Sequence, residues 1–351
     1  MRIGGFDTSD RVLVMAELGN NHEGQPEVAR ELVERAAEAG ADAVKLQTYE
    51  PERFVRPRDA DRLAQLKRFQ LGSDTVAEIA ALVRERGMLF VSTPFDLPSV
   101  ELLEPLVDGY KIASGDNDVY GLIARVAETG QPLIVSSGLA DLDTMRRAKE
   151  CAENVWRERS LSPGFVVLHC VSAYPVSAEQ ASLGAIPALA EALDCTIGYS
   201  DHTLGVEACV AAVALGARIL EKHLTLRHDF SDYRDHQLSA EPDELAELVR
   251  AVRATEALGE DERARVVARA GALVGERAKA VQPEEKANEQ AVRRSIVAAG
   301  DLAAGHVIEL GDLTWMRPRD GLAPGQEDEL VGRSLRRAVA HGESILVEDL
   351  G

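Results

Sequence analysis

Cys195-Thr-Ile-Gly-Tyr-Ser-Asp-His202, then Val206-Glu-Ala-Cys-Val-Ala-Ala-Val-Ala-Leu215, then Arg218-Ile-Leu-Glu-Lys-His223, is the stretch whose reading decides the fold. Cys195 to Tyr199 and Arg218 to Leu220 are short apolar runs of buried-strand type, and the Ala-rich segment between them has helical character and ends at Gly216. Strand, crossover helix and strand make a parallel pair. Both strands run out in a histidine. His202 and His223 therefore emerge at one rim, the C-terminal edge where parallel barrels place their chemistry, and have the character of a metal site.

The same unit recurs toward the N-terminus. Further strands are predicted over Arg11 to Ala16, Ala43 to Gln47, Met88 to Ser92, Gly109 to Ile112, Pro132 to Ser136 and Phe165 to Cys170. Between them helical periodicity covers Pro26 to Ala39, Thr75 to Arg86, Val119 to Glu128, Leu142 to Arg157 and Gly184 to Leu193. Eight strands alternating with helices predict a closed parallel (β/α)8 barrel rather than an open sheet. Tyr49 to Ser73 is an excursion at the rim, and Glu241 to Leu258 is the closing helix, with Ser239 and Asp243 as its expected caps. The barrel is expected over residues 1–259. Residues 260–290 are charged and Ala-rich, as a linker would be, and residues 291–351 turn to short β-like pieces. Within these, Ile296 to Leu313 and Leu335 to Leu350 resemble one another, suggesting two related units.

Composition excludes several classes of function. With 39 Lys plus Arg against 59 Asp plus Glu, the net charge of -20 repels nucleic acid and anionic membrane surfaces. No stretch reaches the roughly 18 apolar residues of a membrane span, and the N-terminus has no apolar signal region, so a cytoplasmic location is expected. Cys151, Cys170, Cys195 and Cys209 lack Cys-x-x-Cys spacing and read as reduced thiols.

Other strand ends add to the rim. The first ends in Glu17 and enters Gly19-Asn-Asn-His-Glu-Gly24; the second carries Lys45 and Gln47 on one face; the third ends in Ser92-Thr-Pro-Phe-Asp96. Lys111, Ser114 and Asp116 follow the fourth, and Ser136-Ser-Gly138 the fifth. A single strand-end lysine is ordinarily solvated, and His169, after Val166-Val-Leu168, reads as a satisfied barrel residue. Two lysines with hydroxyls and glycine backbone at one rim instead suit a small phosphate- and carboxylate-bearing anion. Two histidines with oxygen donors suit a weakly held Mn²⁺ or Mg²⁺ better than a structural zinc. Gly19 to Gly24 lacks the spacing of a dinucleotide fingerprint or P-loop.

Ala16-Glu-Leu-Gly-Asn-Asn-His-Glu-Gly24, Lys45-Leu-Gln-Thr48, Ser92-Thr-Pro-Phe-Asp96, Lys111-Ile-Ala-Ser-Gly-Asp116, His169-Cys-Val-Ser-Ala-Tyr-Pro175, Gly198-Tyr-Ser-Asp-His-Thr203 and Glu221-Lys-His223, taken in order, resemble the sialic acid synthases. The resemblance implies a TIM barrel followed by an antifreeze-like (SAF) β-clip domain, and metal-dependent condensation of phosphoenolpyruvate with an amino-sugar aldehyde to give a nonulosonic acid and phosphate. It further implies that His202 and His223 hold the metal, that Glu17, Gln47, Asp116 and Glu221 serve the chemistry, and that Lys45, Thr93, Lys111, Ser114, Ser137 and Ser200 bind phosphoenolpyruvate. Tyr174, Asp235 and Arg317 would bind the sugar, Arg317 reaching the partner's site in a domain-swapped homodimer.

The pattern is not uniform. Asp116 stands where the family often has Glu, Ser172 where many members have Asn, and Phe230 to Leu238 departs from the common loop, with Tyr233, Arg234 and His236 beside Asp235 at the expected sugar end. An aromatic residue usual near the start of the small domain has no counterpart in Ala291-Val-Arg-Arg-Ser295. The acceptor is expected to be unphosphorylated, such as N-acetylmannosamine or a bacterial diacetamido analogue. A 6-phosphorylated sugar, gripped by Arg234 and Arg317, is the nearer alternative, and a non-catalytic carbohydrate- or ice-binding protein the more distant one.

Overall fold

The computed structural model describes residues 1–351. Eight parallel strands, β1 (Leu13–Gly19), β2 (Ala43–Thr48), β3 (Leu89–Pro94), β4 (Gly109–Ile112), β5 (Leu133–Ser136), β6 (Phe165–Cys170), β7 (Thr196–Asp201) and β8 (Ile219–His223), close into a barrel in which β8 pairs with β1. The expected TIM barrel is present. Alternation along each strand sorts the side chains. Val14, Ala16, Val44, Leu46, Phe90, Val167 and Leu220 point outward against the helices. Leu13, Met15, Ala43, Val91, Ile134, Val166, Leu168 and Ile219 pack with one another inside, with Ile3 of a short hairpin (Arg2–Ile3 against Phe6–Asp7) among them. The lower barrel interior is therefore solid, and only the uppermost inward positions are free to carry polar groups.

The covering helices include α1 (Pro26–Ala39), α4 (Ser73–Glu85), α5 (Leu97–Leu103), α6 (Tyr120–Glu128), α7 (Leu142–Arg159), α8 (Ala185–Ala192), α9 (Glu207–Ala214) and α11 (Pro242–Glu256). The rim excursion between β2 and α4 contains α2 (Pro51–Phe54) and α3 (Ala60–Phe69). Ser239 and Asp243 do not cap α11; Glu241 and Glu244 do, as a reciprocal capping box, because the Ser239 hydroxyl donates to the Asp235 carbonyl (2.6 Å). Between β8 and α11 lies the short α10 (Asp235–Leu238); beyond α11, α12 (Glu260–Ala270) packs on α9, and the chain returns over the barrel mouth through α13 (Pro283–Lys286) and α14 (Glu289–Val292).

The C-terminal unit has its own core of Ile296, Ile308, Leu313, Leu330, Ile345 and Leu350 around a two-stranded sheet, β9 (Ser295–Ala298) with β10 (Leu313–Met316). The internal repeat is physical: Asp312 accepts the backbone N–H of Glu309 (2.8 Å), and Asp349, at the matching place in the second copy, accepts that of Leu346 (2.9 Å). All four cysteines are free, and no helix is long and apolar enough to cross a membrane.

Candidate active site

The top inward layer of the barrel is polar and almost entirely buried. Lys45 Nζ lies 2.7 Å from Glu17 Oε2 and 3.8 Å from Glu221 Oε2, and donates to Thr93 Oγ1 (3.3 Å). Lys111 Nζ lies 3.9 Å from the same Glu221 oxygen, while Ser200 donates to Glu221 Oε1 (2.8 Å) and Gln47 Nε2 to Glu17 Oε1 (3.0 Å). Two ammonium groups thus face two carboxylates in a low-dielectric shell. Burial pushes the Glu17 carboxyl above its usual range, with Glu221 adding to the push and Lys45 opposing it. At Glu221 burial works the same way but Lys111 and Lys45 outweigh it, holding the group down to about 2. Burial lowers Lys111, whereas Glu17 and Glu221 overcome burial at Lys45 and keep it charged.

His202 and His223 stand side by side, with ring centroids 5.4 Å apart. The Val171 carbonyl lies 2.8 Å from His202 Nδ1 and can only accept, so Nδ1 carries a hydrogen and Nε2 is the nitrogen left for a metal ion or a second proton. His223 Nδ1 is buried without a partner in the protein. Burial pushes His223 down to about 3, into the neutral ligating form. Burial also opposes a charge on His202, but nearby Cys170 raises it to about 9, so a proton and a metal ion compete there. No further His, Cys, Asp or Glu completes a group of three potential ligands. Two imidazoles with spare nitrogens fit an open-sided ion whose other positions go to water and substrate oxygens, not a closed four-ligand zinc. Outward-facing neighbours fix these strand ends: Lys222 donates to Asp201 (2.7 Å) and to the Thr203 carbonyl (2.6 Å), and Asp201 accepts from Tyr199 (3.0 Å).

Above this layer opens a cavity of about 900 Å³ lined by Glu17, Lys45, Gln47, Thr93, Lys111, Ser114, Tyr174, Ser200, His202, Glu221, His223, Asp235 and Arg317. Tyr174 lies over His202 (4.3 Å) and Arg234 over Tyr174 (5.4 Å). Tyr233 donates to Asp235 (2.9 Å), and Arg317 stacks on Phe54 (4.5 Å). Ser136, Ser137 and Ser172 have buried hydroxyls with no partner in the protein. A side chain at position 138 would collide with Ser114 and Ser172 Oγ, so Gly138 is what lets these hydroxyls converge.

Two of the residues singled out from sequence do not reach the cavity. Ser137 sits behind its wall, and it is Ser136, also in the motif, that lines it. Asp116 is fully buried under Arg294, which grips both its oxygens (2.7 and 2.9 Å), with Arg317 at 3.6 Å. Burial would raise the Asp116 carboxyl, but Arg294 and Arg317 hold it below the usual carboxylate range. A carboxylate so engaged supports the cavity wall in this structure.

The sequence profile of the NeuB family matches residues 32–263, about two thirds of the chain, and that of the SAF domain matches 293–351. The chain belongs to the NeuB family. It is 33% identical to an N,N'-diacetyllegionaminic acid synthase of Legionella pneumophila, over 96% of this chain and 94% of the relative. With an N-acetylneuraminate-9-phosphate synthase of Mus musculus it shares 32% identity over 96% and 92%. The spore coat polysaccharide biosynthesis protein spsE of Bacillus subtilis superposes with a TM-score of 0.82 at 28% identity, covering 99% of both chains.

In this NeuB-family enzyme the SAF domain lies over the barrel of its own chain. Val55 bridges to Arg317, Arg319 pairs with Asp118 (2.5 Å), and Trp315 lies against Gly121. Arg317 thereby lines the cavity of the chain that carries it. Sequence reading passed over the residues of the rim excursion: Asp59, just before α3, and Arg62, Gln65 and Arg68 on it line the mouth. The signal was present, since Leu63, Leu66 and Phe69 recur at helical spacing among charged residues.

Proposed function

We propose that the enzyme condenses phosphoenolpyruvate with the open-chain aldehyde of an N-acylated amino sugar, N-acetylmannosamine or a bacterial diacetamido analogue. The enol carbon forms a bond to the aldehyde carbon, water adds at the former enol-ether carbon, and that carbon's bond to the phosphate oxygen breaks, giving a nonulosonic acid and inorganic phosphate. The observation that supports this most is the grouping of Lys45, Lys111, the unpartnered hydroxyls of Ser136 and Ser172, and the His202–His223 pair at one end of one cavity. The lysines offset the carboxylate and phosphate charges, and the hydroxyls donate to phosphate oxygens. Mn²⁺ or Mg²⁺ held by His202 and His223 would supply Lewis-acid polarisation of the aldehyde. Glu17 and Glu221, pushed apart in proton affinity, divide the work: Glu221 stays ionised and holds Ser200 and the lysines, and Glu17 is the carboxyl suited to exchange a proton with the reacting oxygen. Gln47 orients Glu17, while Tyr174, Asp235 and Arg317 form the sugar end. Asp116 and Ser137 support the wall.

One observation favours a phosphorylated acceptor as second reading. At the mouth, Arg62 bonds to neutral Gln65 (2.5 Å) and Arg234 stacks on Tyr174, which leaves both guanidinium charges available to a terminal phosphate. The contacts of the SAF domain, made between two chains instead of within one, would give an exchanged homodimer. Phosphate release from phosphoenolpyruvate by metal-stripped enzyme tests the function, with and without Mn²⁺, across N-acetylmannosamine, its 6-phosphate and diacetamido sugars. Release is expected to need both the metal and one sugar. Release that ignores the metal, or none with any of these sugars, overturns the proposal.

A further inference from the structure

Glu285 belongs to the segment that joins the barrel to the SAF domain, yet its side chain is completely buried. One carboxylate oxygen accepts the backbone N–H of Leu139 (2.7 Å) and of Ser172 (2.8 Å), and the other that of Gln282 (2.8 Å). Burying a carboxylate is costly unless its lone pairs are filled, and here three backbone donors fill them. Leu139 and Ser172 are not arbitrary anchor points. Leu139 ends the turn Ser136-Ser-Gly-Leu139 after β5, and Ser172 lies in Cys170-Val-Ser-Ala-Tyr174 after β6. These are the two turns that bring Ser136, Ser172 and Tyr174 to the cavity. Leu139 sits at φ 56, a left-handed conformation that a leucine holds only when its surroundings enforce it.

The surroundings that enforce it come from the joining segment and the start of the SAF domain. Glu285 takes the Leu139 N–H, and Arg293 donates to the Leu139 carbonyl. Lys279 donates to the Cys170 carbonyl (3.3 Å), and the N–H groups of Leu183 and Gly184 bond to the carbonyls of Leu273 (2.9 Å) and Val274 (2.6 Å). On the barrel side Asn117 donates to the carbonyls of Ser136 and Gly138 (2.9 Å each). The β5 turn is thus held from both sides, whereas the Ser172 amide is held by Glu285.

We infer that Glu285 is a positioning residue. Its carboxylate clamps the turns after β5 and β6 to each other, and so sets the spacing of the hydroxyls that take the phosphate of phosphoenolpyruvate. The inference rests on the proposed function for the identity of that ligand, and it makes turnover depend on the joining segment as well as on the barrel.

Glu285→Ala, Glu285→Gln and, as a control on the exposed flank, Lys286→Ala are compared in the full chain. Steady-state kinetics are measured for both substrates, together with amide hydrogen exchange at Leu139 and Ser172. Displacing the turns by about an ångström is expected to cost roughly tenfold to a hundredfold in kcat/KM for phosphoenolpyruvate. In Glu285→Ala the sugar KM should move far less, and both amides should lose protection. Glu285→Gln keeps an oxygen for the two amides and should fall between Ala and the parent, and Lys286→Ala should match the parent. Retained protection in Glu285→Ala, or equal losses for both substrates, overturns the inference. If the parent enzyme does not consume phosphoenolpyruvate at all, it is the proposed function that has failed, and the exchange data then decide the clamp by themselves.

Discussion

Lys45 is the residue on which the charge balance of the barrel interior depends, because it bridges Glu17 at 2.7 Å and Glu221 at 3.8 Å in a buried layer at the floor of the cavity. Removing one member of such a group leaves an uncompensated buried charge, at a cost of about 3 kcal/mol. Lys45→Met is therefore expected to destabilise the protein by about that amount near neutral pH. The sign of its pH dependence follows from Glu17. The folded-state affinity of Glu17 for protons is already raised and rises further without Lys45, so the folded state binds more protons than the unfolded one. The deficit should grow as pH rises above the ordinary glutamate range and shrink toward about pH 5. Glu17→Gln added to Lys45→Met should recover most of the loss. Urea unfolding of the parent and the two variants at two pH values checks this, and a double variant no more stable than Lys45→Met alone would refute the charge-balance account. The rim position of Lys45 and Gln47 was legible in the sequence because alternation places them on one face at a strand end, whereas the pairing of Lys45 with Glu17 and Glu221 from other strands was not. The wall position of Asp116 was not, since nothing local to Lys111-Ile-Ala-Ser-Gly-Asp116 announces that Arg294 will cover it.

At the scale of elements, strand and helix order could be read from periodicity, whereas short elements and ends could not. β7 and β8 run on to Asp201 and His223 because their polar tips pair in register, Ser200 with Glu221 on the cavity side and Asp201 with Lys222 on the outer side, where an apolar pattern stops earlier. α5 was missed although its start carries a signal: Asp96 accepts the N–H of Ser99 (2.8 Å), with a proline in the first turn. The rim depends on one element seating another. Gly24, at φ 76, lies so close to α3 that a Cβ would sit 2.0 Å from the Arg68 carbonyl oxygen. Gly24→Ala combines left-handed strain of about 1–2 kcal/mol with a backbone collision that α3 must relieve by moving. We expect a loss of at least about 2 kcal/mol in thermal unfolding and faster amide exchange along Ala60–Phe69. Unchanged exchange in α3 would show that the contact does not seat the helix.

At the scale of the whole molecule, the two-unit design of the SAF domain could be read from the likeness of its copies, but its docking could not, because the pairs that hold it join residues far apart in sequence. Arg294 grips Asp116, Arg319 meets Asp118, and Arg56 and Arg58 reach Asp320. Trp315 lies at this junction, against Gly121. Asp116 gives the docking a definite response to acid. Burial raises its carboxyl, Arg294 and Arg317 lower it more, and the folded-state value falls below the ordinary 3.8. The stabilisation is therefore fully present above that value and is lost as pH falls through the lowered one. In a Trp156→Phe background, which leaves Trp315 as the only tryptophan, parental emission is expected to stay constant from neutral pH down to about 4 and to shift red below it as the domain lifts away. Arg294→Met leaves Asp116 with Arg317 at 3.6 Å and Arg293 as its remaining cations, neither of which grips both its oxygens, so its emission should already be red-shifted at neutral pH and the acid step should be small. Identical acid profiles in the two proteins would mean that the Asp116–Arg294 pair does not hold the domain, whether the contact is made within one chain or between two.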